Sequence, residues 1–352
     1  MTAELVNEAI QLLRQMIAIP SFSKEEKEVA DFLEQYLLQR GYVVFRHLNN
    51  IWLQSPGFDV SRPTILLNSH LDTVKPGSAW TRHPFEASIE NNKLYGLGSN
   101  DAGASLVSLL HVFFFLTQRQ QSYNLIFAAT AEEEISGKNG LEIMLQEFPK
   151  IDFAVVGEPT GMNMAIAERG LMVIDATVTG KSGHAAREEG ENAIYKALDA
   201  IKWFRDYRFD KISPLLGPVK MTVTQINGGI QHNMIPDKCT FVVDVRSNEL
   251  YTNEEILEII RENVHCPIEP RSVRLCSTAT QLDHPIVKRA QQMKLALYGS
   301  PTLSDQALMP FPSVKIGPGD SARSHTADEY VFVDEIAKGI ETYIQLLDGL
   351  QF

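Results

Sequence analysis

Cysteine is scarce: three residues, Cys239, Cys266 and Cys276, occur among 352, and none is in CxxC spacing. So small and odd a number excludes a disulfide framework and argues against a thiolate metal site, and it fits a reducing cytoplasm. Positive charge is also short, with 32 Lys and Arg against 44 Asp and Glu and a formal net charge of -12. That balance argues against nucleic acid or an anionic membrane as the main partner, because both require a basic surface. Long apolar runs are missing as well. The densest, Val112 to Leu116, lies in a segment of fewer apolar residues than the roughly 18 a membrane span needs, so it reads as a core helix. The first residues, MTAELVNEAIQLLRQMIAIPS, carry Glu4, Glu8 and Arg14 among apolar positions. They form an amphipathic helical pattern and lack the basic start and unbroken apolar centre of a signal peptide. Internal repeats and low-complexity segments are absent.

What is present is ordinary globular material, 44% hydrophobic and 22% charged, enough for one large core or two modest ones. Apolar residues at helical spacing (Leu5, Ile10, Leu12, Leu13, Ile17, then Val29, Phe32, Leu33, Tyr36, Leu37) predict two helices before the first strand. Short apolar runs then alternate with helical patterns: a run at 64–68, a helix over 103–118, a run at 125–129, a helix over 141–147 and a run at 153–156. This order predicts an α/β fold with a mostly parallel sheet flanked by helices. From Leu171 the texture changes to period-two alternation: Met172, Ile174, Ala176 and Val178, then Val219, Met221 and Val223, then Phe241, Val243 and Val245. Helices are expected over 193–204 and 254–264, with a last strand at 272–276. The β-α-β-β-α-β order is that of a ferredoxin-like module inserted into the first domain. The expected division is 1–168 with 279–352 for the discontinuous first domain and 169–278 for the insertion. A helix over 285–297, a strand at 313–316 and a helix over 334–347 complete the chain.

The informative pattern lies at the strand ends. The run at 64–68 leads to His70 and Asp72, that at 125–129 to Glu132, Glu133 and Glu134, that at 153–156 to Glu158, and that at 313–316 through Gly-Pro-Gly-Asp to His325. Ligands of open α/β sheets bind beyond the carboxyl ends of strands, so these residues converge on one crevice, where Asp101 can join them. Singly, each has a plain structural explanation: His70 a hydrogen-bonded core histidine, Asp101 a helix N-cap, Glu158 a loop carboxylate, His325 a surface histidine. Together, carboxylates at that density repel unless cations hold them. Imidazole plus carboxylate suits zinc first, then manganese or cobalt. His70, Asp101, Glu134, Glu158 and His325 are more ligands than one catalytic zinc needs, so two divalent metal ions are expected, with Asp101 as the bridge. Asp72 either holds the second ring nitrogen of His70 or steadies its loop.

HLDTV (70–74), GLGSNDAGAS (96–105), TAEEE (130–134), GEPT (157–160), SGHAA (182–186), INGG with HNMIPD (226–237), DVR (244–246) and GPGDSARSHTADEY (317–330) resemble, in order, the dinuclear zinc peptidase and deacylase family that includes acetylornithine deacetylase and succinyl-diaminopimelate desuccinylase. The resemblance implies a zinc-exopeptidase-like catalytic domain and an inserted domain that pairs two subunits into a homodimer. It implies that His70, Glu158 and Asp101 surround one metal and that Glu134, His325 and Asp101 surround the other. It makes Glu133 the general base with Glu132 in an outer supporting place, although an all-glutamate run leaves a one-residue shift of roles open. Asp72 and His184 are implied to take part in catalysis, His184 by reaching the neighbouring subunit. Asn233 is implied to bind a carbonyl, Arg246 a substrate carboxylate, and Gly319 belongs to the substrate-binding loop. The implied reaction is hydrolysis of an acetyl or succinyl amide on a small amino acid such as ornithine, citrulline or lysine, in arginine biosynthesis. A succinyl-diaminopimelate desuccinylase, a small dipeptidase and a catalytically silent metal-bound module are the other readings. The chain departs from the family by reading REEGENAI after SGHAA, without the proline common there, and by being somewhat short.

Overall fold

Strand Thr64–His70 is buried along its whole length, as is Asn124–Thr130, and the two run parallel with His70 opposite Thr130. Their residues alternate between two separate cores in the computed structural model, which describes residues 2–187 and 189–351. Ile65, Leu67, Leu125, Phe127, Phe153 and Val155 enter one core, and Leu66, Ile126, Ala128, Ala154 and Val156 the other. A strand with helices or loops on both faces buries every position, so it appears in sequence as a near-continuous apolar run, here broken only toward its ends. The neighbours are in the order Asn50–Gln54, Asn124–Thr130, Thr64–His70, Phe153–Val156, Ser313–Lys315. The last four are mutually parallel and Asn50–Gln54 is antiparallel to its neighbour. Four carboxyl ends therefore open on one edge of the sheet.

Helix Ala104–Thr117 is buried on every side, so its all-round apolar sequence is a core signature. Together with the turn before it, the segment Ser99–Thr117 reaches 19 residues and is apolar enough to cross a bilayer by length and composition; 83% of that window is buried inside the protein. Burial inside the protein, rather than shortness, makes it a core helix.

The chain divides into two compact units, one of residues 1–166, 279–298 and 304–352, the other of 167–278 and 299–303. The second differs from the expected range by beginning at 167 rather than 169 and by taking in the five-residue stretch 299–303, where Arg169 N–H donates to the Ser300 carbonyl at 3.2 Å. Its sheet runs Lys220–Gly228, Lys238–Arg246, Met172–Thr179, Ile268–Pro270, antiparallel throughout. That is the order of a ferredoxin-like module. Met172, Ile174, Ala176, Phe241, Val243 and Val245 pack against Ala197, Phe204, Ile256 and Ile260 of helices Ala193–Asp206 and Asn253–Asn263.

Several expected elements are corrected. The fourth strand of the inserted module is Ile268–Pro270, not 272–276. There only a single antiparallel bridge forms, Leu171 N–H donating to the Leu275 carbonyl at 3.0 Å, and the Asn253 side chain donates to the carbonyls of Val273 and Leu275, both at 2.9 Å. The helix expected over 141–147 is α-helical only for Leu141–Met144 and continues as tight turns. The helix expected over 285–297 stops at Gln292, since Lys294 adopts φ 61, and Leu297–Ser300 is a strand. Glu188, in the REEGENAI stretch, lies outside the described residues.

Candidate metal centre

Each strand end delivers its side chain within a few residues. His70 closes its strand almost fully buried, with Nδ1 donating to the Asp72 carbonyl at 2.9 Å, which aims Nε2 outward. Nε2 faces Asp101 Oδ1 at 3.3 Å and Glu158 Oε1 at 3.9 Å. His325 Nε2 lies 2.8 Å from Glu134 Oε2 and 3.7 Å from Asp101 Oδ2. The two oxygens of Asp101 are thus divided, one toward His70 and the other toward His325. Within each trio, His70–Asp101–Glu158 and Asp101–Glu134–His325, one donor atom per residue lies within 4.8 Å of the others.

The three glutamates separate by direction. Glu132 is buried in a left-handed conformation (φ 56), and its carboxylate accepts from the Asn139 side-chain amide at 2.9 Å. Its own N–H donates to Glu26 Oε1 at 3.2 Å. Glu133 turns into the cluster, with Oε2 3.9 Å from His70 Nε2, and Glu134 meets His325. The left-handed residue produces the divergence, because it reverses the chain direction between Glu132 and the tight turn Glu133–Ile135. Gly137 completes this turn, and a Cβ there would lie 2.0 Å from Glu132 Oε2.

Asp72 holds the same turn. Its carboxylate accepts from Glu133 N–H at 3.0 Å, Glu134 N–H at 3.2 Å and Ser23 Oγ at 2.7 Å. The second ring nitrogen of His70 is closer to the Asp72 backbone carbonyl than to its carboxylate, which stands 3.5 Å away. Asp72 therefore acts chiefly by steadying the turn that carries Glu133 and Glu134.

The electrostatics express crowding. Burial pushes Glu158 up to about 8, aided by the Asp101 charge. Burial also holds Glu133 well above the usual carboxylate range, with Glu158, Asp305 and Glu134 adding repulsion. Burial opposes a charged His70, but the carboxylates of Asp101 and Asp72 outweigh it and keep the ring well above its ordinary value. The hydrogen bond to Glu134 lifts His325 to about 9. Burial likewise opposes ionised Asp101, yet the His70 and His325 rings hold it below the ordinary value. The raised proton affinity of both imidazoles is the response of the cluster to its crowded carboxylates. Two divalent cations match the same donor set, five oxygen and nitrogen ligands with one carboxylate offered to both sides, so the residues fit a dinuclear site.

The remaining expected residues belong to other surroundings. Gly319 is buried with φ +95, and a Cβ on it would come within 2.5 Å of Asn100 Oδ1, so the close approach requires glycine. In the second unit His184 and Asn233 are brought together: Gly183–His184 pairs with Met234–Ile235, and Ala185 N–H donates to the Asn233 carbonyl at 3.0 Å. Both are exposed. Arg246 forms a two-point fork with Asp244 at 2.8 and 3.0 Å.

Three buried carboxylates bonded to the segments that build the site escape sequence reasoning. Glu26 holds the Glu132 N–H, and Asp305 accepts from Thr130 Oγ1 at 2.7 Å. Glu329 accepts from three backbone amides of the Asp101 loop. None follows directly on an apolar run, so strand-end logic passes over them; the only signal is that Glu329 lies in the HTADEY stretch, four residues past His325.

This fold and cluster accord with what the chain resembles among known proteins. The sequence pattern of peptidase family M20/M25/M40 matches residues 66–349, and the chain belongs to that family. It is accordingly a metal-dependent hydrolase. An acetylornithine deacetylase from Proteus mirabilis is 26% identical, with 97% of this chain and 96% of that protein covered. A succinyl-diaminopimelate desuccinylase from Orientia tsutsugamushi is 28% identical over 72% of this chain and 71% of its own length. Among solved structures, aminopeptidase PepT from Bacillus cereus superposes with a TM-score of 0.79 at 22% identity, covering 99% of this chain and 98% of the other. At that identity the likeness speaks for the fold.

Proposed function

We propose that the protein is a dinuclear deacylase that cleaves the amide of an N-acetyl or N-succinyl amino acid such as ornithine, citrulline or lysine, in arginine biosynthesis in the cytoplasm. The observation that carries the dinuclear part is the division of the Asp101 oxygens between His70 and His325. Zinc is the proposed metal, with cobalt or manganese as substitutes. His70, Glu158 and Asp101 would hold one ion, and Glu134, His325 and Asp101 the other. Bound there, the ions supply Lewis acidity, lowering the pKa of water and polarising the acyl carbonyl.

Glu133 is the proposed base. It faces the cluster, and its raised proton affinity suits taking a proton from the attacking water and returning it to the leaving nitrogen. Asn233 and His184 would donate to the carbonyl oxygen as it gains negative charge. Arg246 would receive the amino-acid carboxylate in two-point fashion, sharing its fork with Asp244.

His184 would act in the neighbouring subunit of a homodimer. The edge of strand Lys220–Gly228 that meets no further strand among the described residues, with Ile226 exposed, and the exposed Tyr195 and Leu198 of helix Ala193–Asp206 support pairing through the second unit. A sedimentation mass of one 39.4 kDa copy in a fully active preparation would remove His184 from this scheme.

A panel of N-acetyl and N-succinyl derivatives of ornithine, citrulline, lysine and diaminopimelate, assayed for free amine after zinc or cobalt addition, tests the substrate. Turnover of an ornithine, citrulline or lysine derivative at least tenfold faster than of the diaminopimelate derivative is the expected result. The reverse ranking would favour the desuccinylase, a reading supported by the 28% identical relative.

Metal uptake is expected to depend on pH. In the metal-free protein His325 titrates near 9 and Glu158 near 8, so both hold protons at neutral pH that ligation must displace. Apparent affinity should therefore rise as pH increases from 6 toward 9, with proton release on binding. Calorimetry in two buffers of different ionisation heat counts these protons; a flat affinity over that range would contradict the assignment of both ligands.

A further inference from the structure

Glu329 is buried to 2% exposure, next to a ladder in which Tyr330–Phe332 pairs with Lys93–Tyr95. One carboxylate oxygen accepts from Asn100 N–H at 2.8 Å and from Asp101 N–H at 2.9 Å, and the other accepts from Gly98 N–H at 3.1 Å. The Glu329 backbone carbonyl takes a fourth amide, Gly96 N–H, at 3.0 Å. All four donors belong to the short loop that carries Asp101.

The acceptor also belongs to the segment that carries His325, four residues earlier. Asn100 ties the same two segments together a second time: its Oδ1 accepts from Asp320 N–H at 3.0 Å, and its Nδ2 donates to the Asp320 carbonyl at 3.1 Å. A side chain that binds backbone amides fixes the direction of the side chains which that backbone carries. Here one bonded amide is that of Asp101 itself, so the clamp acts one rotatable bond before the Asp101 side chain. A carboxylate this buried beside another carboxylate is electrostatically unfavourable, and a loop held only for stability could be capped by a neutral group.

We propose that Glu329 is a positioning residue for the shared ligand: its grip on the 98–101 amides sets the Asp101 carboxylate with one oxygen toward each half of the cluster. The inference rests on the dinuclear reading given above. Such supporting contacts are worth about 10–100-fold in metal affinity or activity where they have been removed from metal sites. A glutamine preserves the shape and can accept with only one oxygen, so it keeps at most two of the three amide bonds and turns its NH2 against the third. Alanine removes all three.

The test uses the full-length protein, its Glu329→Gln and Glu329→Ala variants, and zinc and cobalt(II) as probes. Zinc affinity is read by competition with a chromophoric chelator, ligand geometry by the visible absorption of the cobalt-loaded protein, and kcat and KM at saturating metal. Wild type should take up two ions. Glu329→Gln should bind both at least about tenfold more weakly, with an altered cobalt spectrum and a kcat lowered about tenfold at a KM within about twofold of wild type. Glu329→Ala should be more severe in each respect, and the glutamine variant decides if the alanine variant does not fold. Affinities within twofold of wild type and an unchanged cobalt spectrum, with only thermal stability reduced, would overturn the proposal and leave the dinuclear reading standing. Failure of wild type itself to take up two ions would overturn both.

Discussion

Replacing Glu133 with glutamine is expected to lower kcat by about 10³–10⁴-fold, at the upper end of what a positioned proton carrier contributes, while two metal ions remain bound. The amide cannot accept the proton from water or deliver one to the leaving nitrogen. All five proposed ligands remain, so metal content measured by elemental analysis should not change. Stability gives an independent check on the sign of the electrostatics. Burial and neighbouring carboxylates hold Glu133 well above its ordinary value, so above that ordinary value its ionised form is a cost to the metal-free fold. The neutral glutamine removes this cost, and the metal-free variant should melt no lower than wild type. Residual kcat above about a tenth of wild type would mean that another group carries the proton.

Replacing Asp101 with alanine should weaken both metal ions together, which no other single ligand change should do. Binding free energies of roughly 10–16 kcal/mol for four-ligand zinc sites correspond to about 3 kcal/mol per ligand, or about a hundredfold in affinity. Asp101 would contribute that to each ion, since one oxygen faces His70 and the other His325. The comparison is with His325→Ala, which should weaken one ion and spare the other. Titration with a competing chelator resolves the two cases: two weakened sites for Asp101→Ala and one for His325→Ala. If Asp101→Ala weakened only one site, the carboxylate would not be shared.

Most of the candidate metal site is legible in the order of residues along the chain. A strand buried on both faces is a nearly continuous apolar run, and a residue two to five positions beyond that run cannot travel far from the strand end. His70, Glu134 and Glu158 are found in that way, and His325 through a longer connection. The same logic cannot order the three glutamates, because consecutive positions all lie within reach of the strand end and it does not say which way each points. Their roles part at Glu132, whose left-handed backbone sends its carboxylate to Asn139 while Glu133 and Glu134 face the histidines. Nor can it find Glu329, whose bonds to Gly98, Asn100 and Asp101 span 228 to 231 positions of sequence. In the inserted module, period-two alternation identifies three strands, but the fourth is displaced to Ile268–Pro270, where few residues leave little period to read.

The sequence alone determined the layered fold, the sheet edge where the chemistry gathers, and the oxygen and nitrogen character of the donor set, because these depend on local patterning and covalent neighbours. Only the tertiary structure decided which way each carboxylate points. It divided the oxygens of Asp101, turned Asp72 toward the amides of Glu133 and Glu134, and brought Glu329 against the Asp101 loop. Such directions are set by hydrogen bonds between distant segments, and a buried carboxylate settles wherever the fold offers it N–H groups.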